Sequence, residues 1–179
     1  MGFFFLSSAI AALPAHANAP AAVLTPPSQT VTLTAYNAVP AQTDSNPLET
    51  ASGAYSNPEI VAARSRDLAR ELPFGTIIEI RGPSSSEGTC GYGIVAPIIG
   101  YRVIADTMNA RYTDRIDVLF STKSNYIMPD GSVKNAATIL GVCGGTSIRV
   151  VGHVDINNLP KTQAELAAIA LGGGLALNK

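Results

Sequence analysis

The feature that most constrains this chain is a pair of short apolar runs that each carry an aspartate. Residues 101–105 form the first run, which Asp106 closes, and residues 116–120 form the second, which contains Asp117. Valine, isoleucine and phenylalanine at this density favour strands, and the polar residues 107–115 between the runs predict a turn. A carboxylate in an apolar strand is costly unless it has a partner or a chemical task. Both aspartates are therefore the first candidates for a functional site.

Ion pairing is the alternative explanation for these two aspartates. Arg111 and Arg115 lie in the turn between the runs, where either could pair with a carboxylate at a strand edge. Structural ion pairs perturb carboxylates as catalytic environments do. The pattern alone leaves both explanations open.

Composition limits what else the chain can be. Its 179 residues suffice for one domain with a hydrophobic core, and its net charge of −1 argues against a nucleic-acid partner, which requires a basic face. Cys90 and Cys143 are too few for a disulfide scaffold and wrongly spaced for a zinc site. They could pair in an oxidising compartment, or be two small apolar residues in a reducing one. We expect no metal site and no cofactor.

The N-terminal region predicts export and a linker. Residues 3–12 are apolar but short for a membrane span, and the Ala-His-Ala sequence at 15–17 fits a signal-peptidase site. No lysine or arginine precedes the apolar run, so an uncleaved anchor is the alternative for residues 1–19. Residues 20–29 are rich in proline and alanine, which indicates a linker. We expect an exported protein, periplasmic, wall-associated or secreted, whose membrane association, if any, is through this N-terminal segment.

Six short strands are expected in the central region. Residues 30–37 alternate polar and apolar side chains with period two, which is typical of a half-buried strand. The other strands are expected at residues 60–63, 76–80, 101–105, 116–120 and 146–154. A tight turn is expected at residues 72–76, because proline fixes its own φ angle and glycine permits φ angles that other residues rarely adopt.

Helical segments are expected to be brief. Short helices are predicted at residues 64–71, 121–125 and 136–140, and a longer one at 161–170, which the glycines at 172–174 should end. Residues 94–99 are interrupted by Pro97 and predict an edge strand or a loop. The sequence does not alternate strands with long helices, as βαβ folds do. It predicts an all-β barrel with short helical insertions over residues 30–155, followed by a C-terminal helix and tail at 156–179.

Six pieces of this sequence, in order, resemble the 3D domain, a family named for three aspartates. The pieces are TAY at 34–36, TASG at 50–53, IVAA at 60–63, LPFGT at 72–76, IADT at 104–107 and DRIDV at 114–118. That domain occurs in the catalytic region of membrane-bound lytic transglycosylase A and in small secreted stationary-phase cell-wall proteins. The resemblance covers residues 30–154.

The resemblance implies a six-stranded double-psi β-barrel that cleaves peptidoglycan glycan strands without a cofactor. In lytic transglycosylases the sugar's own 6-hydroxyl attacks and leaves a 1,6-anhydro end, so one carboxyl group can serve as acid and then as base. Asp106 matches the aspartate of the Asp-Thr motif, and Asp117 matches that of the Ile-Asp-Val strand. We assign the proton donor to Asp117, whose apolar neighbours would raise its pKa, and the ionised partner to Asp106.

The third aspartate of the family has two candidates in this chain. Asp67 lies one residue from the position expected before the Pro-x-Gly-Thr turn, and Asp44 belongs to the polar loop at 42–53. Tyr36 and Tyr112 could stack on sugar rings or pack in the core. Substrate binding is assigned to residues of the matched pieces, namely Thr107, Tyr36, Thr50 and Ser52.

Two non-enzymatic functions remain as alternatives. The same groove could hold glycan without cutting it, as the non-catalytic barrels of expansin type do. Met108 and Asn109 favour this alternative, because many 3D proteins have two glycines there. The domain could also only space or dock a larger wall complex, in which case the aspartates should be replaceable without loss of glycan binding. A raised pKa of Asp117 in a cleft would favour the enzyme.

Overall fold

The computed structural model describes Met1, residues 27–84 and residues 90–176. Within these residues, eight strands and three α-helices account for most of the regular structure. The strands are β1 (Ser28–Asn37), β2 (Val61–Arg64), β3 (Thr76–Arg81), β4 (Tyr101–Thr107), β5 (Arg115–Phe120), β6 (Asn125–Ile127), β7 (Val133–Asn135) and β8 (Cys143–His153). The helices are α1 (Tyr92–Ile99), α2 (Ala136–Leu140) and α3 (Gln163–Ala176).

Six of these strands close into a barrel in the order β1–β5–β2–β4–β3–β8. The pairs β1–β5 and β2–β4 are parallel, and the remaining neighbours are antiparallel. Strands β6 and β7 form a separate two-stranded hairpin. The predicted mostly-β fold with a six-stranded barrel and few helices is therefore confirmed.

The barrel strands place alternate residues in two hydrophobic clusters. Ala62 belongs to the cluster that residues of α1 and α2 join, whereas Val61 and Ala63 belong to the cluster that residues of α3 join. This alternation follows from the period of two along a strand. Ile116 and Val118 belong to the first cluster, so Asp117 between them lies on the same face as Ala63.

A helix replaces the edge strand or loop expected at residues 94–99, so that prediction was wrong. Helix α1 contains Pro97 and buries Val95 and Ile99, which lie four residues apart on one face. The packing of that face against the core outweighs the local preference of proline against helices. Gly100, with φ 56°, follows the helix.

Three other helix predictions need correction. Residues 121–125 form a turn that leads into β6, because the Asn135 side chain bonds to the carbonyl of Ser121 and to the side chain of Asn125. In residues 64–71, Arg64 ends β2 and the helical part is limited to the 3-10 turn Arg66–Ala69. Helix α3 continues to Ala176 and does not end at the three glycines.

Other local predictions are confirmed. Helix α2 ends before Gly141, as expected. The tight turn at residues 72–76 contains Gly75 with φ 91°, a backbone angle that favours glycine.

The N-terminal predictions lie almost wholly outside the described residues. The export signal, apart from Met1, is not among them, and β1 begins at Ser28, within the last two residues of the predicted linker. Within the described ranges, no helix has both the length and the apolar character needed to cross a membrane.

A disulfide joins Cys90 to Cys143, whose Cα atoms are 5.4 Å apart. It connects the segment before α1 to the first residue of β8. Cys143 is buried and packs in the first hydrophobic cluster.

Candidate active site

Four residues of four neighbouring strands lie in one row across the barrel. The β1–β5 pair aligns Thr34 with Asp117, and the β5–β2 pair aligns Asp117 with Ala63. The β2–β4 pair aligns Ala63 with Asp106. Because neighbouring strands lie about 4.8 Å apart, the Cα atoms of the two aspartates are separated by about 10 Å.

A register shift in the β2–β4 pair brings Asp106 into this row. Ala62 pairs with Ile104, but the next residue, Ala63, pairs with Asp106 and not with Ala105. The skipped residue uses its carbonyl to accept a hydrogen bond from the backbone N–H of Ser52 at 3.2 Å. Such bulges re-aim side chains and are common beside active sites.

The two aspartates line a cleft of about 710 Å³, a volume typical of ligand sites. The barrel strands contribute Tyr36, Ala63, Asp106, Thr107 and Asp117, and the other lining residues come from positions 41–56, 66 and 108–112. Thr107, which we predicted to bind substrate, is half-buried in this cleft. The structure therefore brings Asp106, Asp117, Tyr36 and Thr107 together.

Asp117 is a half-buried carboxyl group with a perturbed pKa. Removal from water raises its pKa from 3.8 to about 6, in the direction expected from its apolar neighbours. The Thr34 hydroxyl donates to its Oδ1 at 2.7 Å and opposes that rise. The charge of Asp106 raises the pKa further, and the charge of Arg115 lowers it. A carboxyl group of this kind holds its proton up to mildly acidic pH.

Asp106 is held by three hydrogen-bond donors. The Tyr36 hydroxyl donates to Oδ2 at 2.8 Å, and the backbone N–H groups of Ala51 and Thr107 donate to Oδ1 at 2.9 and 2.8 Å. Burial and the neighbouring carboxylate of Asp106 raise the pKa of Tyr36 well above its usual value, which keeps the phenol protonated as a donor. Because its side chain is buried, Tyr36 serves to orient Asp106 and offers little ring surface to a sugar.

Thr50 and Ser52 shape a tight turn more than they line the cleft. The turn at residues 50–53 is docked on β4 through the N–H groups of Ala51 and Ser52. The hydroxyl groups of Thr50 and Ser52 bond to each other at 2.9 Å, and the Thr50 hydroxyl also reaches the carbonyl of Ala54. Thr50 is buried at the cleft, whereas Ser52 lines a second cavity of about 750 Å³.

The two candidates for a third carboxylate lie in different places. Asp44 is exposed, lines the cleft and accepts a hydrogen bond from the N–H of Asn46 at 2.8 Å. Asp67 is not among the residues that line the cleft, and accepts a hydrogen bond from the N–H of Asp114 at 2.9 Å, which lowers the pKa of Asp67. That bond supports the left-handed backbone of Asp114, with φ 50°, directly before β5. The structure therefore places Asp67 outside the residues that line the cleft, at the turn before β5.

The ion-pair explanation for the arginines of the 107–115 turn is wrong within the described residues. Neither Arg111 nor Arg115 forms a salt bridge with a described aspartate. Instead, their guanidinium carbons lie 4.7 and 4.9 Å from the centroid of the Tyr112 ring. Arg111 also donates to the Tyr112 hydroxyl at 2.7 Å. Tyr112 therefore stacks on cations, which limits its use as a platform for sugars.

Sequence reasoning missed two charged residues of the cleft. Glu49 and Arg66 both line it and are exposed. Glu49 lies in the polar loop at 42–53, where its charge was the available signal. Nothing in the sequence distinguished Arg66 in the same way. It stands in a run of positive and negative residues, and the contact between β2 and β4 decides which of their side chains reach the cleft.

The described residues contain no cluster of three or more histidine, cysteine, aspartate or glutamate side chains arranged to hold a metal ion. Comparison with known proteins finds neither a family model nor a curated protein sequence that matches this chain.

Proposed function

We propose that this protein cleaves peptidoglycan glycan strands as a lytic transglycosylase, with Asp117 as its acid and base. The observation that carries the proposal is the raised pKa of Asp117, about 6, in a cleft that a second aspartate shares. Perturbed carboxyl groups in clefts are typical of catalytic sites. The resemblance to the 3D domain supports peptidoglycan as the substrate.

The proposed reaction needs one proton carrier. Asp117 donates its proton to the glycosidic oxygen while the bond from that oxygen to the sugar C1 breaks. The resulting carboxylate accepts the proton of the same sugar's 6-hydroxyl, whose oxygen forms the new bond to C1. The product has a 1,6-anhydro end, no water is consumed, and Asp117 regains its proton.

Asp106 supports this chemistry as a fixed negative charge. Its carboxylate accepts three hydrogen bonds, so it is oriented before substrate arrives. In the proposed reaction its charge raises the pKa of Asp117 and stabilises positive charge that develops on the sugar ring. Hydrolysis by two carboxylates is less well supported, because it requires a second group free to activate water or attack the sugar.

We extend the proposal to the barrel type and the compartment. The two parallel pairs, β1–β5 and β2–β4, support a double-psi arrangement of the six strands. The Cys90–Cys143 disulfide supports an oxidising compartment, in keeping with an exported protein that acts at the cell wall.

A glycan-binding module without catalysis is the second candidate. It is favoured by Met108, whose side chain is buried and whose N–H bonds to the carbonyl of Arg64 at 2.9 Å. Many 3D proteins have glycine at this position, where the backbone can approach a ligand closely. A buried methionine there gives the cleft a more closed wall.

The test is mass spectrometry of soluble fragments released from purified peptidoglycan by the full chain. The Asp117→Asn variant is compared with Asp130→Asn, a control that removes an exposed carboxylate of the β6–β7 turn outside the cleft. We expect 1,6-anhydro fragments from wild type and the control, and none from Asp117→Asn. Fragments with reducing ends would indicate hydrolysis, and retention on peptidoglycan without any fragments would establish the binding module.

A further inference from the structure

We propose that Arg66 and Arg111 form a carboxylate-binding site that holds an acidic group of the glycan substrate in the cleft. The inference rests on the proposed function and adds a substrate feature to it, since it predicts a requirement for a carboxylate on the sugar strand or on its attached peptide. We call these two residues the arginine pair.

The arginine pair comes from the ends of two neighbouring strands. Arg66 follows β2 and Arg111 follows β4, and β2 and β4 are parallel, so both segments leave the barrel at the same edge. The N–H of Met108 bonds to the carbonyl of Arg64, which ties the two segments together where they leave the strands. Both arginines line the cleft that contains Asp106 and Asp117.

A chain of contacts fixes the surroundings of the pair. Ser65, next to Arg66, accepts the N–H of Arg115 with its side chain at 3.0 Å and donates its own N–H to the carbonyl of Arg115. Arg115 lies over Tyr112, and Arg111 lies over the same ring and bonds to its hydroxyl. Tyr112 therefore orients the guanidinium of Arg111, which reduces the entropy lost when a ligand binds.

The arginine pair is available for an anion. Within residues 27–84 and 90–176, the salt bridges are Arg70–Glu71, Arg81–Glu79 and Arg149–Glu79, and none includes the pair. Both side chains are exposed. Guanidinium groups bind carboxylates through two parallel hydrogen bonds, a geometry that a lysine does not offer.

The charge of the rest of the cleft explains why such a site is needed. Among the described residues, Asp44, Glu49 and Asp106 line the cleft beside the proton donor Asp117, and the arginine pair supplies its only cationic side chains. An acidic substrate would be repelled by these carboxylates unless a cation offset the repulsion. An uncharged glycan needs no such compensation, so the pair discriminates in favour of carboxylate-bearing strands.

Peptidoglycan offers carboxylates from two sources. The lactyl group of muramic acid has a free carboxylate where the peptide has been removed, whereas an intact strand carries carboxylates on its stem peptide. Chitooligosaccharides have the same β-1,4-linked sugar backbone and no carboxylate. These three ligands separate the contribution of the charge from that of the sugar rings.

The test measures dissociation constants by calorimetry for the full chain with the Asp117→Asn substitution, which prevents turnover during the titration. The ligands are peptide-free peptidoglycan strands, peptide-bearing strands and chitooligosaccharides of equal length. The double variant Arg66→Gln/Arg111→Gln is compared with Arg70→Gln, a control whose side chain is 93% exposed and which does not line the cleft.

We expect the double variant to weaken binding of carboxylate-bearing strands by about 10- to 100-fold and to leave chitooligosaccharide binding unchanged. A loss confined to peptide-free strands identifies the lactyl carboxylate, and a loss confined to peptide-bearing strands identifies the stem peptide. Equal loss for all three ligands, or no loss for any, would overturn the inference.

Failure of the proposed function can be distinguished from failure of this inference. If wild type releases no fragments from peptidoglycan but the arginine pair still discriminates among the three ligands, the inference stands and the protein is a binding module. If wild type releases anhydro fragments but the double variant binds all three ligands as its parent does, the proposed enzymatic function is supported and the inference about the arginine pair is wrong.

Discussion

Asp106 and Asp117 lie on either side of the same residue, Ala63, from the two strands that neighbour β2 in the barrel. Ala63 lines the cleft together with both aspartates, and its side chain is a single methyl group. Three donors converge on Asp106, whereas among the described residues the only side-chain hydrogen bond to Asp117 comes from Thr34. The two carboxyl groups therefore have different environments, which suits different chemical roles.

The alkaline limb of the activity profile should depend on Thr34. Activity should fall as pH rises through about 6, because Asp117 must be protonated to act as the acid. The Thr34 hydrogen bond lowers the pKa of Asp117, so Thr34→Val should move this limb to higher pH. The measurement is the rate of anhydro-fragment release between pH 4 and 9.

Thr32→Val is the matched control for this prediction. Thr32 lies on the same strand and is half-buried as Thr34 is, but its partner in β5 is Arg115 and not Asp117. Its profile should match that of wild type. A limb that stays in place or moves to lower pH in Thr34→Val would show that Asp117 is not the titrating acid.

The ionised form of Asp117 should lower the free energy of unfolding at alkaline pH. Its pKa is raised on folding, so the wild-type protein loses stability as pH rises through about 6, and this loss is absent below 3.8. Asn does not ionise and can still accept the Thr34 hydrogen bond. Asp117→Asn should therefore be more stable at pH 8 by about 1–2 kcal/mol, a value reduced for the partial exposure of the group.

Urea unfolding at pH 8 and at pH 3.5 measures this difference. The two proteins should be nearly equally stable at the lower pH, since both side chains are then neutral. A variant that is less stable than wild type at pH 8 would mean that the ionised carboxylate is stabilising, contrary to its raised pKa.

Arg102 should be the most costly arginine of the barrel to replace. It is fully buried, and its guanidinium donates to the carbonyls of Ile98, Ile99, Pro58 and Leu119 at 2.6 to 3.1 Å. Arg102→Met would leave these carbonyls without their donor, and we expect a loss of about 3–5 kcal/mol in the free energy of unfolding.

The control for Arg102 is Arg70→Met, which changes an exposed side chain and should cost less than about 0.5 kcal/mol. Urea denaturation monitored by circular dichroism measures both variants. A loss below about 1 kcal/mol in Arg102→Met would mean that water or side-chain repacking satisfies the carbonyls.

The disulfide should stabilise the barrel by closing a long loop. Cys90 and Cys143 are separated by 53 positions in the sequence, so the bond restricts the unfolded chain substantially. Cys90→Ser/Cys143→Ala should lose about 2–4 kcal/mol of stability. Reductant should lower the melting temperature of wild type and leave that of the double variant unchanged, and equal sensitivity of the two proteins would contradict the prediction.

Local pattern was sufficient to predict the strands of this barrel. The alternation in β1 and the apolar runs of β4 and β5 depend on side chains that are close in sequence, and a strand's period of two is a local property. The same reasoning singled out Asp106 and Asp117, because a carboxylate within or beside an apolar run is unusual whatever the fold.

Local pattern failed where distant packing decides the structure. Pro97 argued for an edge strand or a loop, but the burial of Val95 and Ile99 on one helical face outweighs the preference of a single residue. The charged run around Arg66 and Asp67 gave no indication of which side chain enters the cleft, because that depends on contacts of β2 with β4 and of Asp67 with Asp114.

The sequence by itself determined which segments are the strands of the barrel and which residues are candidates for the site. Only the tertiary structure decided that the β2–β4 register shift aligns Asp106 with Ala63, and that barrel closure sets Thr34 beside Asp117. The physical reason is that hydrophobic periodicity specifies the face of each residue, whereas register and strand order arise from the packing of segments far apart in the chain.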